Sequence, residues 1–156
     1  MAKKMGFSAE LLRAASHIWE MEREHPFVKG IGDGTLPLDN FRYYMRQDYL
    51  FLVDFCRVIA KAAAKAEDVQ DMGWFAHLLD ETLNTEMSLH VGFCGEFGIS
   101  EAELKGTRPS PTTMAYTRHL LASAASGGAA DIACPISRST SISTAVSPRR
   151  ASPEAM

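Results

Sequence analysis

Asp48 is the residue whose position invites chemistry. Pro37 suits the first turn of a helix, where its missing N–H is not needed. From there Phe41, Tyr44, Met45, Leu52 and Phe55 recur at the three-and-four spacing of one buried helical face. Asp48 falls in the middle of that stripe. An unpaired buried carboxylate is very costly. It must therefore be paired, protonated or facing a ligand. The reading adopted is an anchor for a polar ligand group in an otherwise aromatic pocket. A structural carboxylate, paired with an arginine or capping a helix, is the alternative.

Glu81, Glu86 and His90 form a second constellation. Glu86 and His90 are one turn apart, on a face with Phe75, Leu79, Phe93 and Phe97. A carboxylate four residues before a histidine on a bundle helix could ligate a metal, as in di-iron helical proteins. Such a site needs ligands from other helices, and the first helix offers only Glu10, Glu20, Glu22 and Glu24. The simpler reading is a buried Glu–His hydrogen-bonded pair that orders the bundle. Tyr44, Phe51 and Tyr116 read as core on spacing alone. Cys56, Cys94 and Cys134 are odd in number and widely spaced, which fits free thiols better than disulfides or a zinc site. Cys56 and Cys94 sit among apolar residues and read as inert core.

The elements that must position these residues are helical. Ser8 is a candidate N-cap, followed by an amphipathic helix that ends near His25-Pro26. His25 reads as a helix-end residue. A turn-rich connection over Gly30 to Gly34 leads to the Asp48 helix, which is expected to run to about Lys65. A third helix is expected over roughly Asp71 to Phe97, stopped by Gly98. A short helical turn follows over residues 100–105. Ser110-Pro111 opens a last helix, which Gly127-Gly128 closes. No segment alternates with a strand period, so the fold class is all-α.

Composition narrows the function classes. The 156 residues carry 46% apolar and 22% charged side chains, ordinary for one soluble globular domain. A formal charge of −3 gives no electrostatic case for nucleic acid or an anionic membrane. No apolar run approaches the ~20 residues of a transmembrane helix, and the start MAKKMGFSAELL lacks the pattern of a signal peptide.

The run HPFVKGIGDGTLPLDNFRYYMRQDYLFLVDFCRVIAKAAAKA resembles the TenA family, also called thiaminase II or aminopyrimidine aminohydrolase. The resemblance continues through ETLNTEMSLHVGFCGEFGI and PSPTTMAYTRHLLASAASG, and covers roughly residues 7 to 127. His25-Pro26-Phe27, Gly34-Thr35-Leu36, Gln47-Asp48 and Ala115-Tyr116 carry it. It implies a haem-oxygenase-like helical bundle, cytoplasmic and assembled as a homotetramer. The implied reaction is hydrolysis of aminopyrimidine breakdown products of thiamin, and in some members of thiamin itself, for thiamin salvage. The partner is thus a small-molecule aminopyrimidine or thiamin, and no metal or organic cofactor is implied. Asp48 would hydrogen-bond the pyrimidine, with paired charge-assisted bonds to a ring nitrogen and an exocyclic amine. Tyr44, Phe51 and Tyr116 would line the pocket, offering ring faces to a flat heteroaromatic. Cys134, within Cys134-Pro135, would be the catalytic nucleophile, although the aromatic residues that follow the family cysteine are absent. Glu154 has no matching context and takes no role.

Two rivals from other classes stand beside this reading. One is a non-catalytic, truncated helical bundle that binds pyrimidine or partner chains. The other is a metal-dependent oxidase of the same fold, using Glu86 and His90. The boundary at Gly128 bears on the first. Residues 129–156 are rich in Ser, Ala, Pro and Arg, lack aromatics and show no apolar period. They are expected to be disordered, because they cannot bury enough surface to offset their ordering entropy. The change of composition suggests a frameshift, with a genuine variable tail as the alternative. The domain is then 1–128, without the family's C-terminal helices. Apolar faces left uncovered favour association or aggregation, and poor turnover by this chain is expected.

Overall fold

The computed structural model describes residues 7–127, and the expected disordered tail and Cys134 lie outside them. Among the described residues every regular element is helical. They divide into two compact units, one up to Leu38 and one from Asp39 onward.

The first unit holds α1 (Phe7–Ala14), α2 (Ser16–Glu24) and α3 (Pro26–Asp33). The single first helix expected from sequence is broken at Ala15, whose backbone leaves the helical range at φ −97° and ψ 3°. The expected connection before Gly34 is also corrected, because residues 26–33 are helical. His25 caps that helix, its Nδ1 accepting from the Phe27 N–H at 3.2 Å, and Pro26 takes the first turn. Two of the three glycines that suggested a turn have other uses. Gly30 is buried and lets Leu36 pack onto it, since a Cβ there would lie 3.2 Å from that of Leu36. Gly34 ends the helix with φ 74°, a conformation glycine adopts without steric cost.

The second unit is built on α4 (Leu38–Lys65), a rod of 28 residues and about 42 Å. Its buried stripe is Phe41, Met45, Leu52, Phe55, Cys56, Val58, Ile59 and Ala62. The second half of the stripe forms the core. Phe55, Val58, Ile59 and Ala62 pack with Phe75 of α5 (Val69–Asp80) and with Leu120 and Ala124 of α8 (Pro111–Ser126). Ala62 and Ala124 are fully buried, and their small side chains permit close helix approach.

The first half of the stripe meets α6 (Met87–Glu96) through an aromatic cluster. Phe41 packs edge-on against Phe93 and Phe97, with ring centroids 6.1 and 4.9 Å away. Arg42 Nε donates to the Phe97 carbonyl at 2.8 Å and ties down the end of α6. Gly98, at φ 73°, reverses the chain there. A capping box between Ser100 and Glu103 opens the short α7 (Glu101–Gly106).

The third helix expected from sequence is present with one difference. Between α5 and α6 the rod is π-helical over Glu81–Glu86, and the Met87 N–H reaches back five residues to the Thr82 carbonyl. Buried Thr82 donates its hydroxyl to the Leu78 carbonyl at 2.8 Å, a back-bond of the kind that bends helices.

Candidate functional site

Asp48 sits mid-way along α4, at the junction between the aromatic cluster and the main core. Its side chain is 27% exposed, so it is neither free in solvent nor sealed in the core. Its partner is His90 of α6, with Oδ2 3.3 Å from Nε2. The approach is an ion-pair contact rather than an aligned hydrogen bond, and Nε2 is otherwise buried without a partner. On the other side of the ring, Nδ1 lies 3.6 Å from the sulphur of Cys94, one turn further along α6. The Tyr49 ring is tilted beside the imidazole at 6.5 Å.

These neighbours decide the charge on His90. Burial by itself acts to lower its pKa. The contacts with Asp48 and Cys94 outweigh that and push it up to about 9. Folded His90 therefore holds its proton more tightly than unfolded His90, whose ordinary value is 6.5. The stabilisation is complete below about pH 6.5 and is lost as pH rises through about 9. At about 1.4 kcal/mol per pKa unit, the loss is expected to be roughly 3 kcal/mol between about pH 6 and about pH 9.5. Urea unfolding of the parent chain and His90→Gln, at about pH 6 and about pH 9.5, checks this. An equal change with pH in both chains would count against it.

The sequence grouped His90 with Glu86, and the structure gives it to Asp48. Glu86 instead lies near Cys56, whose pKa is raised first by burial and then by the Glu86 charge. The Cys56 thiol is thus held protonated and poorly reactive. Among the described residues no three His, Cys, Asp or Glu side chains cluster as a metal site would need. Cys94, read from sequence as inert, is fully buried but has a defined polar neighbour in His90. Its i, i+4 spacing from His90 was the available signal.

The aromatic residues divide. Tyr44, one turn before Asp48, has its phenol pKa raised by burial and then by the Asp48 charge, so its hydroxyl keeps its proton. Phe51, one turn after Asp48, stacks on Tyr116 of α8 at 5.8 Å and 22°, and on Phe55 at 5.3 Å. Tyr116 remains 44% exposed, which leaves ring surface open beside the α4 stripe.

Gln47 places α8 against α4. Its Nε2 donates to the Arg108 carbonyl at 3.1 Å and its Oε1 accepts from the Ser110 N–H at 2.8 Å. Ser110 is the N-cap of α8, so the residue beside Asp48 fixes the start of the helix that carries Tyr116. Gln47→Ala is expected to cost roughly 1–2 kcal/mol, since the part-buried Ser110 N–H loses its partner while the exposed Arg108 carbonyl can turn to water. An unchanged urea midpoint would refute that role.

The chain is similar to known proteins over most of its length. The chain is 44% identical over 128 residues to an aminopyrimidine aminohydrolase of Halalkalibacterium halodurans, covering 82% of this chain and 57% of that protein. It is 45% identical over 128 residues to an aminopyrimidine aminohydrolase of Bacillus subtilis, covering 82% and 54%. The chain thus spans a little over half the length of these relatives. A crystal structure described as a TenA family transcription regulator, from Silicibacter sp. TM1040, superposes with a TM-score of 0.76 at 37% identity, over 85% of this chain and 59% of that one. The fold is therefore the all-α, haem-oxygenase-like bundle. The TENA/THI-4/PQQC family profile matches residues 12–137, most of the chain, and the protein belongs to that family.

Proposed function

We propose that this chain recognises an aminopyrimidine through Asp48 and belongs to an aminopyrimidine aminohydrolase of the thiaminase II type. The observation that carries the reading is a part-exposed carboxylate, paired with a single histidine, one helical turn from a Phe51–Tyr116 stack. A flat heteroaromatic ring bearing an amine needs a carboxylate for its polar edge and an aromatic face for its plane. The Asp48 carboxylate would accept from the exocyclic amine and from an adjacent ring nitrogen in its protonated form. Phe51 and Tyr116 would take the ring face, and the Tyr44 hydroxyl lies within the same stretch of α4. Relatives named aminopyrimidine aminohydrolase support the substrate class.

In this reading water replaces the amine of 4-amino-5-aminomethyl-2-methylpyrimidine. A cysteine thiolate attacks the pyrimidine, the amine leaves with a proton, and water then releases the hydroxymethyl product. The family match extends past Gly128 to residue 137 and so includes Cys134, the nucleophile this reading assigns. A cytoplasmic homotetramer is the location and assembly that go with it.

Calorimetric titration with 4-amino-5-aminomethyl-2-methylpyrimidine, together with an ammonia-release assay, tests the proposal. Saturable binding is expected, with the slow turnover of this chain abolished by Cys134→Ser while binding persists. A chain that binds no aminopyrimidine would refute the reading. Turnover that survives Cys134→Ser would remove the role of Cys134.

A further inference from the structure

The Asp48–His90–Cys94 line runs across two helices that are locked together independently of it. The Phe41–Phe93–Phe97 cluster and the Arg42–Phe97 bond hold α6 on the first half of α4. Within that frame the His90 ring has little freedom, because Nδ1 faces the Cys94 sulphur and Nε2 faces Asp48. His90 is the ion-pair partner of Asp48, and the Asp48 charge is also felt by Tyr44 one turn away. A carboxylate offers about four acceptor positions, so one contact at Oδ2 leaves capacity for two donors from a ligand. Both oxygens must lie near the plane of the ring they read, and a freely rotating carboxylate would seldom satisfy that.

We propose that His90 is a positioning residue: it turns the Asp48 carboxylate to face an aminopyrimidine, while Cys94 holds the imidazole from behind. This rests on the pyrimidine reading given above. The contacts with Asp48 and Cys94 that raise the His90 pKa belong to the same line of groups. Tyr44 and Tyr49 are the other titratable groups near the pair, and burial with the Asp48 charge raises the Tyr44 pKa.

A double-mutant cycle on the full chain tests the role. Binding of 4-amino-5-aminomethyl-2-methylpyrimidine is measured for the parent, His90→Phe, His90→Gln, Asp48→Asn and the two double variants. His90→Phe is expected to weaken binding roughly tenfold in the parent and less than about twofold in Asp48→Asn, as coupled neighbours do. His90→Gln, which keeps an N–H, is expected to recover part of the loss. Equal losses in both backgrounds, or no loss in the parent, would overturn the proposal. The nitrogen NMR signals of the histidine rings give a readout that needs neither ligand nor a His90 variant. His90 signals that shift on Asp48→Asn support the pairing, and signals that do not shift overturn it. If the parent binds no pyrimidine, the functional reading fails, and these signals alone decide whether His90 holds Asp48.

Discussion

Deleting Leu83 is expected to destabilise the protein by roughly 3–5 kcal/mol or prevent folding, while Leu83→Ala changes little. Leu83 lies in the π-helical segment and is 47% exposed, so its own side chain contributes little burial. Removing one residue converts the segment to regular α-helix and rotates one half of the rod by about 100° against the other. Both halves have buried faces that must be kept. Upstream, Phe75 packs into the core with Phe55 and Leu120. Downstream, Phe93 and Phe97 meet Phe41, and fully buried Cys94 backs His90. A regular helix cannot satisfy both, so one aromatic set is lost, at a cost comparable to truncating a buried phenylalanine. Against a typical total of about 5–15 kcal/mol, this leaves little stability. Urea unfolding of the deletion beside Leu83→Ala separates register from side chain. Equal midpoints would show that the π segment is not what sets the register.

Asp48→Asn is expected to weaken aminopyrimidine binding by roughly 1.5–3 kcal/mol, the range for a hydrogen bond to a charged group. It should also change His90. With the carboxylate gone, burial dominates the balance that now holds its pKa at about 9, and the ring becomes neutral at pH 7. Circular dichroism should show nearly unchanged helix content, because the contacts that hold α4 to α6 are aromatic and lie elsewhere. Calorimetry and histidine NMR on the same variant read both effects. Unchanged affinity combined with unfolding would make Asp48 structural and remove the pocket.

Much of the frame was legible in the residues. The apolar stripe on α4, the cap at Ser110, the short turn of helix over 100–105 and the stop at Gly98 are local features, set by side-chain period and backbone preference. Asp48 stood out because a carboxylate on an apolar face violates the pattern around it. The helix over 26–33 was misread because Gly30 and Gly32 resemble a turn locally. Its cap at His25 and the packing of Leu36 onto Gly30 outweigh that preference.

From Pro37 onward the residues alone show where the long helices lie and which carboxylate is out of place, since both depend on neighbours within a few turns. Only the tertiary structure decided what that carboxylate meets. A regular α-helical count from Phe75 through Glu86 to His90 assigns Glu86 to His90. The π segment shifts that count between Phe75 and His90, where six residues take a five-back hydrogen-bond pattern. Packing of Phe93 and Phe97 on Phe41 then brings α6 against α4 at the level of Asp48. His90 consequently pairs across helices with Asp48, and Phe51 finds Tyr116 at a distance of 65 residues in sequence. Such pairings depend on which faces can be buried together, and that is settled only when the helices pack.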